Sequence, residues 1–302
     1  MPQNTVISVK DLVKDFGDVR ALDKLNLEVA EGEVHGFLGP NGSGKSTTIR
    51  ILLGLLTKNS GETELLGQDP WKDAVSLHQR IAYVPGDVNL WPQLTGGESI
   101  DLIGNLRGGL DEKKRAMLLD RFQLDPRKKF RTYSKGNRQK VALVAALASD
   151  VELYILDEPT SGLDPLMEAA FQQSIKELKS QGKTVLLSSH ILAEVEALCD
   201  KVTIIRGGQT VQSGTLQELR HLHTVSIQAT TREAAKSLKL PGIHNLKISD
   251  DKHGIEFEVE SSALDKALAE LSKQHITSLV SQPPSLEELF LSQYDTNHTT
   301  KT

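Results

Sequence analysis

The sequence predicts an α/β fold with a mostly parallel sheet covered by helices on both faces, followed by a small α+β domain. Through the first 220 residues, short apolar runs alternate with stretches whose apolar residues recur at helical spacing. This alternation indicates parallel strands joined by helical crossovers. Beyond about residue 220, segments alternate apolar and polar residues with period two, as half-exposed strands do. We therefore predict two domains, over residues 1–219 and 220–302.

The composition narrows the class of protein. The chain has 302 residues, of which 38% are hydrophobic and 25% are charged, as in globular proteins. A formal net charge of -5 and an aromatic content of 4% argue against a nucleic-acid partner. The single cysteine, Cys199, indicates a reducing compartment, and residues 1–10 lack the pattern of a signal peptide. No apolar run reaches about 18 residues, so we expect any link to a membrane to go through a partner.

The first predicted elements surround a glycine-rich loop. Residues 7–9 and 25–29 alternate as strands do, and the apolar run at 34–38 leads into the loop. Apolar residues at helical spacing follow the loop, namely Ile49, Leu52, Leu53 and Leu56. The loop therefore lies between a strand and a helix, which is the context that a phosphate-binding loop requires.

This loop, GPNGSGKS, matches the pattern G-x-x-x-x-G-K-S. Its glycines let backbone N–H groups converge on phosphate oxygens, and the following helix adds its positive end. We expect Lys45 to reach the β- and γ-phosphates and the Ser46 hydroxyl to hold Mg²⁺. The alternative is a glycine-rich turn with a chance lysine, which the flanking strand and helix disfavour. The predicted nucleotide-binding residues here are Gly39, Pro40, Asn41, Gly42, Ser43, Gly44, Lys45, Ser46 and Thr47.

Two acidic residues follow a later buried strand. Residues 92–150 are mostly helical in pattern, and the apolar strand at 153–156 ends at Asp157 and Glu158. We expect Asp157 to contact Mg²⁺, mostly through water, and Glu158 to act as general base on the water that attacks the γ-phosphate. Two solvated acids at a strand end are the alternative, which the phosphate loop disfavours. Further predicted elements are strands at 184–187 and 202–205 and helices at 166–180 and 191–198.

Four further features resemble motifs of the nucleotide-binding subunits of ABC transporters. The segment YSKGNRQ at 133–139 resembles the family's signature motif, and SGLD at 161–164 resembles its D-loop. His190 resembles the switch histidine, and Phe16 resembles the aromatic residue that stacks on adenine. These motifs occur in the family's order over about residues 5–220. The resemblance implies a P-loop NTPase with a RecA-like core and a helical subdomain over about residues 88–150.

The resemblance also implies roles for individual residues. Ser134 and Gly136 would bind the γ-phosphate of a nucleotide held by a second subunit, and Asp164 would belong to the same site. His190 would contact the γ-phosphate and orient the attacking water. Without the resemblance, His190 is interpreted as a strand-end histidine with a polar partner and Phe16 as a core residue. Asp164 also suits the cap of a helix that starts at the next residue, a proline, and its two roles are compatible.

The function that the resemblance implies is ATP hydrolysis that powers transport. Two subunits, identical or paralogous, would enclose ATP and Mg²⁺ and drive a separate integral membrane permease that exports a drug, an antibiotic or a lipid-like molecule. The subunit would lie in the cytoplasm, at the inner face of the cell membrane. The alternatives are an ABC ATPase that acts on ribosomes or DNA and another P-loop enzyme, such as a small-molecule kinase. A single cassette without heptads disfavours the first, and the signature and histidine motifs disfavour the second.

Some positions depart from the family pattern or leave alternatives open. Lys135 and Asn137 replace the common glycine and glutamine of the signature, a variant that resembles the subunits of drug and antibiotic exporters. Gly86 stands where the family has a glutamine or glutamate that contacts Mg²⁺, so either Asp87 or a water would take that place. Trp91 is either an exposed anchor for a membrane partner or a core residue of the helical subdomain.

The second domain shows no clear chemistry in its sequence. The stretch from Pro284 to Phe290 resembles an accessory domain found after drug-exporter ATPases, and its SLEE pattern is typical of the start of a helix. We interpret His221 and His223 as surface histidines rather than metal ligands, because this domain shows no cluster of metal ligands and two histidines alone are a weak metal site. The other predicted elements are strands at 224–228 and 255–260 and a helix near 264–271.

Overall fold

A computed structural model describes residues 4–221, 225–238 and 240–282 of the chain. It divides into two compact units, residues 1–214 and 215–302. The boundary that we predict after residue 219 stays a prediction. The helix predicted from the SLEE pattern, the side chain of His221 and all of His223 lie outside the described parts.

The first unit contains nine strands and seven helices among its described residues. In chain order they are β1 (Thr5–Phe16), β2 (Val19–Ala30), β3 (Val34–Leu38), α1 (Lys45–Leu52), β4 (Ser60–Leu65), α2 (Ala74–Arg80), β5 (Ile81–Val84), α3 (Gly96–Leu106), α4 (Glu112–Arg121), α5 (Lys135–Leu147), β6 (Leu153–Asp157), α6 (Pro165–Ser180), β7 (Thr184–Ser189), α7 (Leu192–Leu198), β8 (Lys201–Arg206) and β9 (Gln209–Thr215).

The central sheet of this unit has the strand order β5-β6-β7-β3-β8-β9. The pairs β5–β6, β6–β7, β7–β3 and β3–β8 are parallel, and every residue of β3, β6 and β7 is buried. Such runs without alternation are typical of strands covered on both faces. The carboxyl ends of the parallel strands share one edge of the sheet, where open α/β sheets bind ligands. The predicted α/β fold class is confirmed.

A second, antiparallel sheet of order β2-β1-β4 was not predicted as a separate layer. Along β2, Leu25, Leu27 and Val29 are buried while the residues between them are exposed. This period of two predicted a strand with one buried face. It did not indicate which strands would pair, because the pattern records burial and not the identity of the partner strand.

The stretch predicted to be mostly helical contains α3, α4 and α5. The side chain of Thr95 accepts a hydrogen bond from the backbone N–H of Glu98, whose carboxylate accepts one from Thr95, and this capping box starts α3. Residues 141–147 of α5 are buried without exception. The predicted helices at 166–180 and 191–198 correspond to α6 and α7.

The second unit is a small α+β unit, as predicted. Its core packs Ile227, Phe257 and Val259 of the sheet against Leu271. No described helix in either unit is long and apolar enough to cross a membrane. In chain order its elements are α8 (Leu216–His221), β10 (Val225–Thr231), β11 (Ile243–Ile248), β12 (Gly254–Val259), α9 (Leu264–Ser272) and β13 (Ile276–Gln282), with antiparallel strand order β11-β12-β10-β13.

Candidate functional site

The glycine-rich loop connects β3 to α1 and has the curvature that its sequence predicts. Gly42 and Gly44 have φ angles of 81° and 110°, a region that favours glycine. A side chain on Gly39 would overlap the Ser43 hydroxyl and the Ile205 carbonyl oxygen. α1 begins at Lys45 without a side-chain cap, so the N–H groups of its first turn lack intrahelical acceptors. The loop is therefore shaped to receive an anion at its concave side.

Lys45 lies inside this loop. Its side chain is 4% exposed, and Nζ donates hydrogen bonds to the carbonyl oxygens of Gly39, at 2.6 Å, and Pro40, at 3.2 Å. Nζ also lies 3.7 Å from Oε1 of Glu158. Burial lowers the pKa of Lys45, while the charges of Glu158 and Asp157 act in the opposite direction. The structure thus brings the lysine of the loop to the two acids that end β6.

The two acids differ in environment. Asp157 is 4% exposed, and its Oδ1 accepts a short hydrogen bond from the hydroxyl of Ser188 on β7. Glu158 follows with a φ of 47°, which is unusual for a residue other than glycine. The backbone N–H of Glu158 donates to the Ser188 carbonyl at 3.0 Å, and this contact helps to hold the turn. The left-handed backbone conformation of Glu158, next to the buried Asp157, is an example of the backbone strain that is common at functional sites.

His190 follows the last residue of β7 and reaches the same acid. Its Nδ1 lies 3.4 Å from Oε1 of Glu158, and its side chain is 50% exposed. The polar partner expected for a strand-end histidine is therefore the predicted general base. Lys45, Glu158 and His190 converge at one edge of the sheet, although they are distant in sequence.

Gly86 lies at this site too. A Cβ on Gly86 would be 3.3 Å from the Asp157 carbonyl oxygen and 3.7 Å from Cβ of Glu158. Asp87 is exposed, and its Oδ2 accepts a hydrogen bond from Nδ2 of Asn89 at 3.0 Å. The two alternatives for the Mg²⁺ contact at this position are Asp87 and a water. In the structure Asp87 is bonded to its neighbour Asn89.

The signature segment occupies a different place. The side chain of Ser134 caps α5 by accepting from the backbone N–H of Asn137 at 3.3 Å, and Ser134 is exposed. A side chain on Gly136 would overlap the carbonyl oxygen of Gly162, and Lys135 Nζ donates to Ser161 Oγ at 3.0 Å. In the described part of the chain, no hydrogen bond or ion pair joins residues 134–137 to the loop at 39–47. Of the two predicted nucleotide ligands in this segment, Ser134 is exposed and Gly136 is half-buried against Gly162.

Three other residues with open alternatives have definite positions. Phe16 is 49% exposed and has Lys14 Nζ 5.1 Å from its ring centre, so the interpretation as a core residue is wrong. Trp91 is 44% exposed, so its core alternative is also wrong. Asp164 accepts a hydrogen bond from the backbone N–H of Met167 at 3.0 Å, and its predicted role as the cap of α6 is confirmed.

An apolar cleft in the first unit was missed by sequence reasoning. It has a volume of about 340 Å³, and its lining includes Leu55, Tyr83, Leu90, Leu106 and Arg107. These residues come from four separate segments of the chain, so no local pattern in the sequence could indicate the cleft. It lies between the strand β5 and the helices α3 and α5, away from the phosphate loop.

Ser188 and Lys135 were also missed. Ser188 is hidden inside an apolar strand and contacts the site only because β7 pairs with β6 in parallel, with Asp157 opposite Ser188. The pairing register is a tertiary property. In the sequence Lys135 stands out only as a departure from the common signature, because its contact with Ser161 depends on the approach of α5 to the turn after β6.

Comparison with known proteins identifies the family. Residues 22–161 match the family model described as "ABC transporter", and residues 214–294 match "ATP-binding protein DrrA1-3-like, C-terminal domain". A daunorubicin resistance ATP-binding protein of Streptomyces coeruleorubidus is 34% identical over 301 residues, covering 95% of each chain. A linearmycin resistance ATP-binding protein of Bacillus subtilis is 33% identical, covering 95% of this chain and 97% of the relative.

Solved structures support the same assignment. An ATP-binding subunit of an ABC transporter superposes with a TM-score of 0.67 and 34% identity, over 72% of this chain and 92% of that one. A dimeric ATP-binding cassette in a post-hydrolysis state, bound to ADP and Pi, superposes with a TM-score of 0.63 and 27% identity, over 70% and 98% of the two chains. The chain belongs to the ATP-binding proteins of ABC transporters, the subunits that bind and hydrolyse ATP to drive transport.

Proposed function

We propose that two copies of this chain, or one copy and a paralogue, enclose ATP between the phosphate loop of one subunit and the signature segment of the other. The observation that carries this proposal is the convergence of Lys45, Glu158 and His190 at the phosphate loop. Ser134 is exposed and makes no hydrogen bond to the loop of its own chain in the described residues, which supports a role toward a second subunit. The dimeric state of a solved cassette with ADP and Pi supports the same arrangement.

Each residue has a role that its position supports. Glu158 acts as general base on the attacking water, and His190 orients that water and contacts the γ-phosphate. Phe16 is exposed, as stacking on adenine requires. Ser134 and Gly136 bind the γ-phosphate of the second subunit's nucleotide. They lie at the N-terminus of α5, whose positive dipole end favours that anion. The loop residues 39–47 hold the remaining phosphates.

Mg²⁺ fits the donor set at the edge of the sheet. Ser46 supplies an exposed hydroxyl at the start of α1, and Asp157 supplies a buried carboxylate that ends β6. Oxygen donors of these two types, completed by water and phosphate, are the ligands that Mg²⁺ prefers. The ion would neutralise charge on the β- and γ-phosphates.

The chain works with an integral membrane permease and powers export of a drug, antibiotic or lipid-like molecule. The names of the two relatives, which concern resistance to daunorubicin and linearmycin, support a cargo of this class. The apolar cleft, together with the exposed Trp91 next to its lining residue Leu90, offers a surface for an apolar segment of that permease. In this arrangement the chain lies on the cytoplasmic face of the cell membrane, residues 1–219 form the nucleotide-binding domain and residues 220–302 an accessory domain.

The test is purification from detergent-extracted membranes of cells that produce the full chain. We expect a polytopic membrane protein to purify with it, and Lys45→Ala to abolish the ATPase activity of the complex. Trp91→Ala should reduce recovery of the membrane protein, whereas Trp71→Ala, which removes a tryptophan that is 57% exposed elsewhere, should not. Recovery with ribosomes or nucleic acid, and never with a polytopic protein, would contradict the proposal.

A further inference from the structure

Glu194 is a buried carboxyl group close to the proposed catalytic residues. It lies in the first turn of α7 and is 6% exposed. Its Oε2 accepts a hydrogen bond from the hydroxyl of Ser189 at 2.7 Å, while Oε1 has no hydrogen-bond partner among the described residues. No lysine or arginine in the described part of the chain pairs with it. Glutamate side chains are seldom fully buried unless they are paired, because the burial of an unpaired charge is costly.

The carboxyl group lies between two segments that carry catalytic side chains. Ser189 precedes His190, and its hydroxyl also accepts the backbone N–H of Ile191 at 3.0 Å, so Glu194 braces the backbone on both sides of the histidine. On its other side Glu194 lines a small cavity together with Thr160, which belongs to the turn that follows Glu158. The backbone N–H of Ser161 closes this turn on the Glu158 carbonyl at 3.1 Å.

Hydrogen bonding rather than charge is the property that suits this position. Burial raises the pKa of Glu194, and the Ser189 and Thr160 hydroxyls only partly oppose this shift. The charged groups that act on it are Glu168, across a cavity of about 130 Å³ that both residues line, and His190. A neutral side chain of the same shape should therefore serve as well as the carboxyl group.

We propose that Glu194 is a positioning residue for ATP hydrolysis, which holds the His190 segment against the turn after Glu158 and so keeps the two catalytic side chains at their working separation. This inference rests on the roles proposed above for Glu158 and His190. Small misplacements of catalytic groups are costly, because about 1 Å of displacement can reduce turnover about 10²-fold. Nucleotide binding by the loop at 39–47 does not involve Glu194.

The test compares Glu194→Ala and Glu194→Gln in the full chain, in complex with its membrane partner. We expect Glu194→Ala to lower kcat about tenfold or more while the affinity for ATP stays within about twofold, and Glu194→Gln to keep kcat within about twofold. Glu168→Ala, on the same cavity, is the matched control and should keep kcat. Equal losses in the alanine and glutamine variants, or a loss of ATP affinity equal to the loss of kcat, would overturn the proposal.

A double-mutant cycle adds a readout that general destabilisation would not produce. Ser189→Ala removes the direct partner, so the double variant with Glu194→Ala should be little slower than the slower single variant. Additive losses would contradict the link between the two residues. Glu158→Gln distinguishes a failure of this inference from a failure of the proposed function. If Glu158→Gln is inactive while Glu194→Ala has wild-type kcat, only the role of Glu194 is contradicted. If Glu158→Gln has full activity, the catalytic site under Proposed function is contradicted as well.

Discussion

Nδ1 of His190 lies 3.4 Å from Oε1 of Glu158, and the two side chains extend from the ends of the neighbouring parallel strands β7 and β6. The same carboxylate oxygen lies 3.7 Å from Nζ of Lys45. One carboxylate therefore connects the lysine of the phosphate loop to the histidine after β7. Such an arrangement can bring an attacking water between a base and an orienting imidazole, beside the position of the γ-phosphate.

Replacement of Glu158 by glutamine is the direct test of this arrangement. Glutamine keeps the shape of the side chain but cannot accept a proton from water, so we expect turnover to fall about 10²-fold or more. ATP binding should persist, and the variant should accumulate as an ATP-bound dimer. Phosphate release and size-exclusion chromatography with ATP measure the two effects.

Glu152→Gln is the control for that experiment. Glu152 lies just before the opposite end of β6, pairs with Arg80 at 2.6 Å, and has a side chain that is 56% exposed. Its replacement should leave turnover within about twofold, because surface ion pairs contribute little and this one is remote from the loop. Wild-type turnover in Glu158→Gln would show that Glu158 is not the general base.

Asp164 allows capping to be separated from catalysis. Its side chain caps α6, so Asp164→Ala should lower the free energy of unfolding by about 1 kcal/mol, whereas Asp164→Ser should retain most of the cap. If Asp164 also acts in the nucleotide site, the serine variant should keep its stability and still lose turnover. Urea unfolding and ATPase assays on both variants decide this. Unchanged stability in Asp164→Ala would contradict the capping role.

The sequence predicted those parts of the site that depend on local chain geometry. The glycine loop, the acids at the end of β6 and the cap at Asp164 are each set by a few consecutive residues, and their positions agree with the prediction. The contact of Ser188 with Asp157 and the apolar cleft near Trp91 depend on strand register and on the packing of distant segments. The fold class was predictable because it follows from the order of periodic segments, whereas the partners of β1 in its separate sheet were not.

Gly86 stands where the resemblance to ABC subunits predicts a glutamine or glutamate that contacts Mg²⁺. A Cβ there would contact the Asp157 carbonyl oxygen at 3.3 Å, so a longer side chain would start directly at the acids. We expect Gly86→Gln to lower the Mg²⁺ concentration for half-maximal ATPase activity about tenfold, because one added contact at a metal site has effects of about this size. The measurement is a Mg²⁺ titration at constant ATP.

Gly86→Ala is the matched control, because it introduces the same Cβ crowding without an amide. The two variants should therefore differ in Mg²⁺ dependence and resemble each other in stability. If glutamine and alanine shift the Mg²⁺ titration equally, a side chain at position 86 does not reach the metal.

A buried acid just before β3, the strand that precedes the loop, predicts a pH dependence of stability. Glu33 is 5% exposed. Its Oε1 lies 2.9 Å from Nδ1 of His35 and accepts a hydrogen bond from the backbone N–H of Ala30. Its Oε2 lies 3.4 Å from Nζ of Lys201. Burial raises the pKa of Glu33, but the hydrogen bonds from His35 and Ala30 and the charge of Lys201 together outweigh it and lower the pKa below 4.5.

Because the pKa is lower in the folded chain, the unfolded chain binds this proton more readily. The contribution of Glu33 to stability is therefore complete above the unfolded pKa of 4.5 and is lost as pH falls through the lower, folded value. Glu33→Gln removes this titration, so the difference in free energy of unfolding between wild type and variant should be largest near neutral pH and shrink below pH 4.5. Urea unfolding of both proteins between about pH 3 and 7 measures it.

Glu62→Gln, on the exposed face of β4, is the control and should stay close to wild type throughout this pH range. A difference in free energy of unfolding for Glu33→Gln that grows on acidification would contradict the lowered pKa.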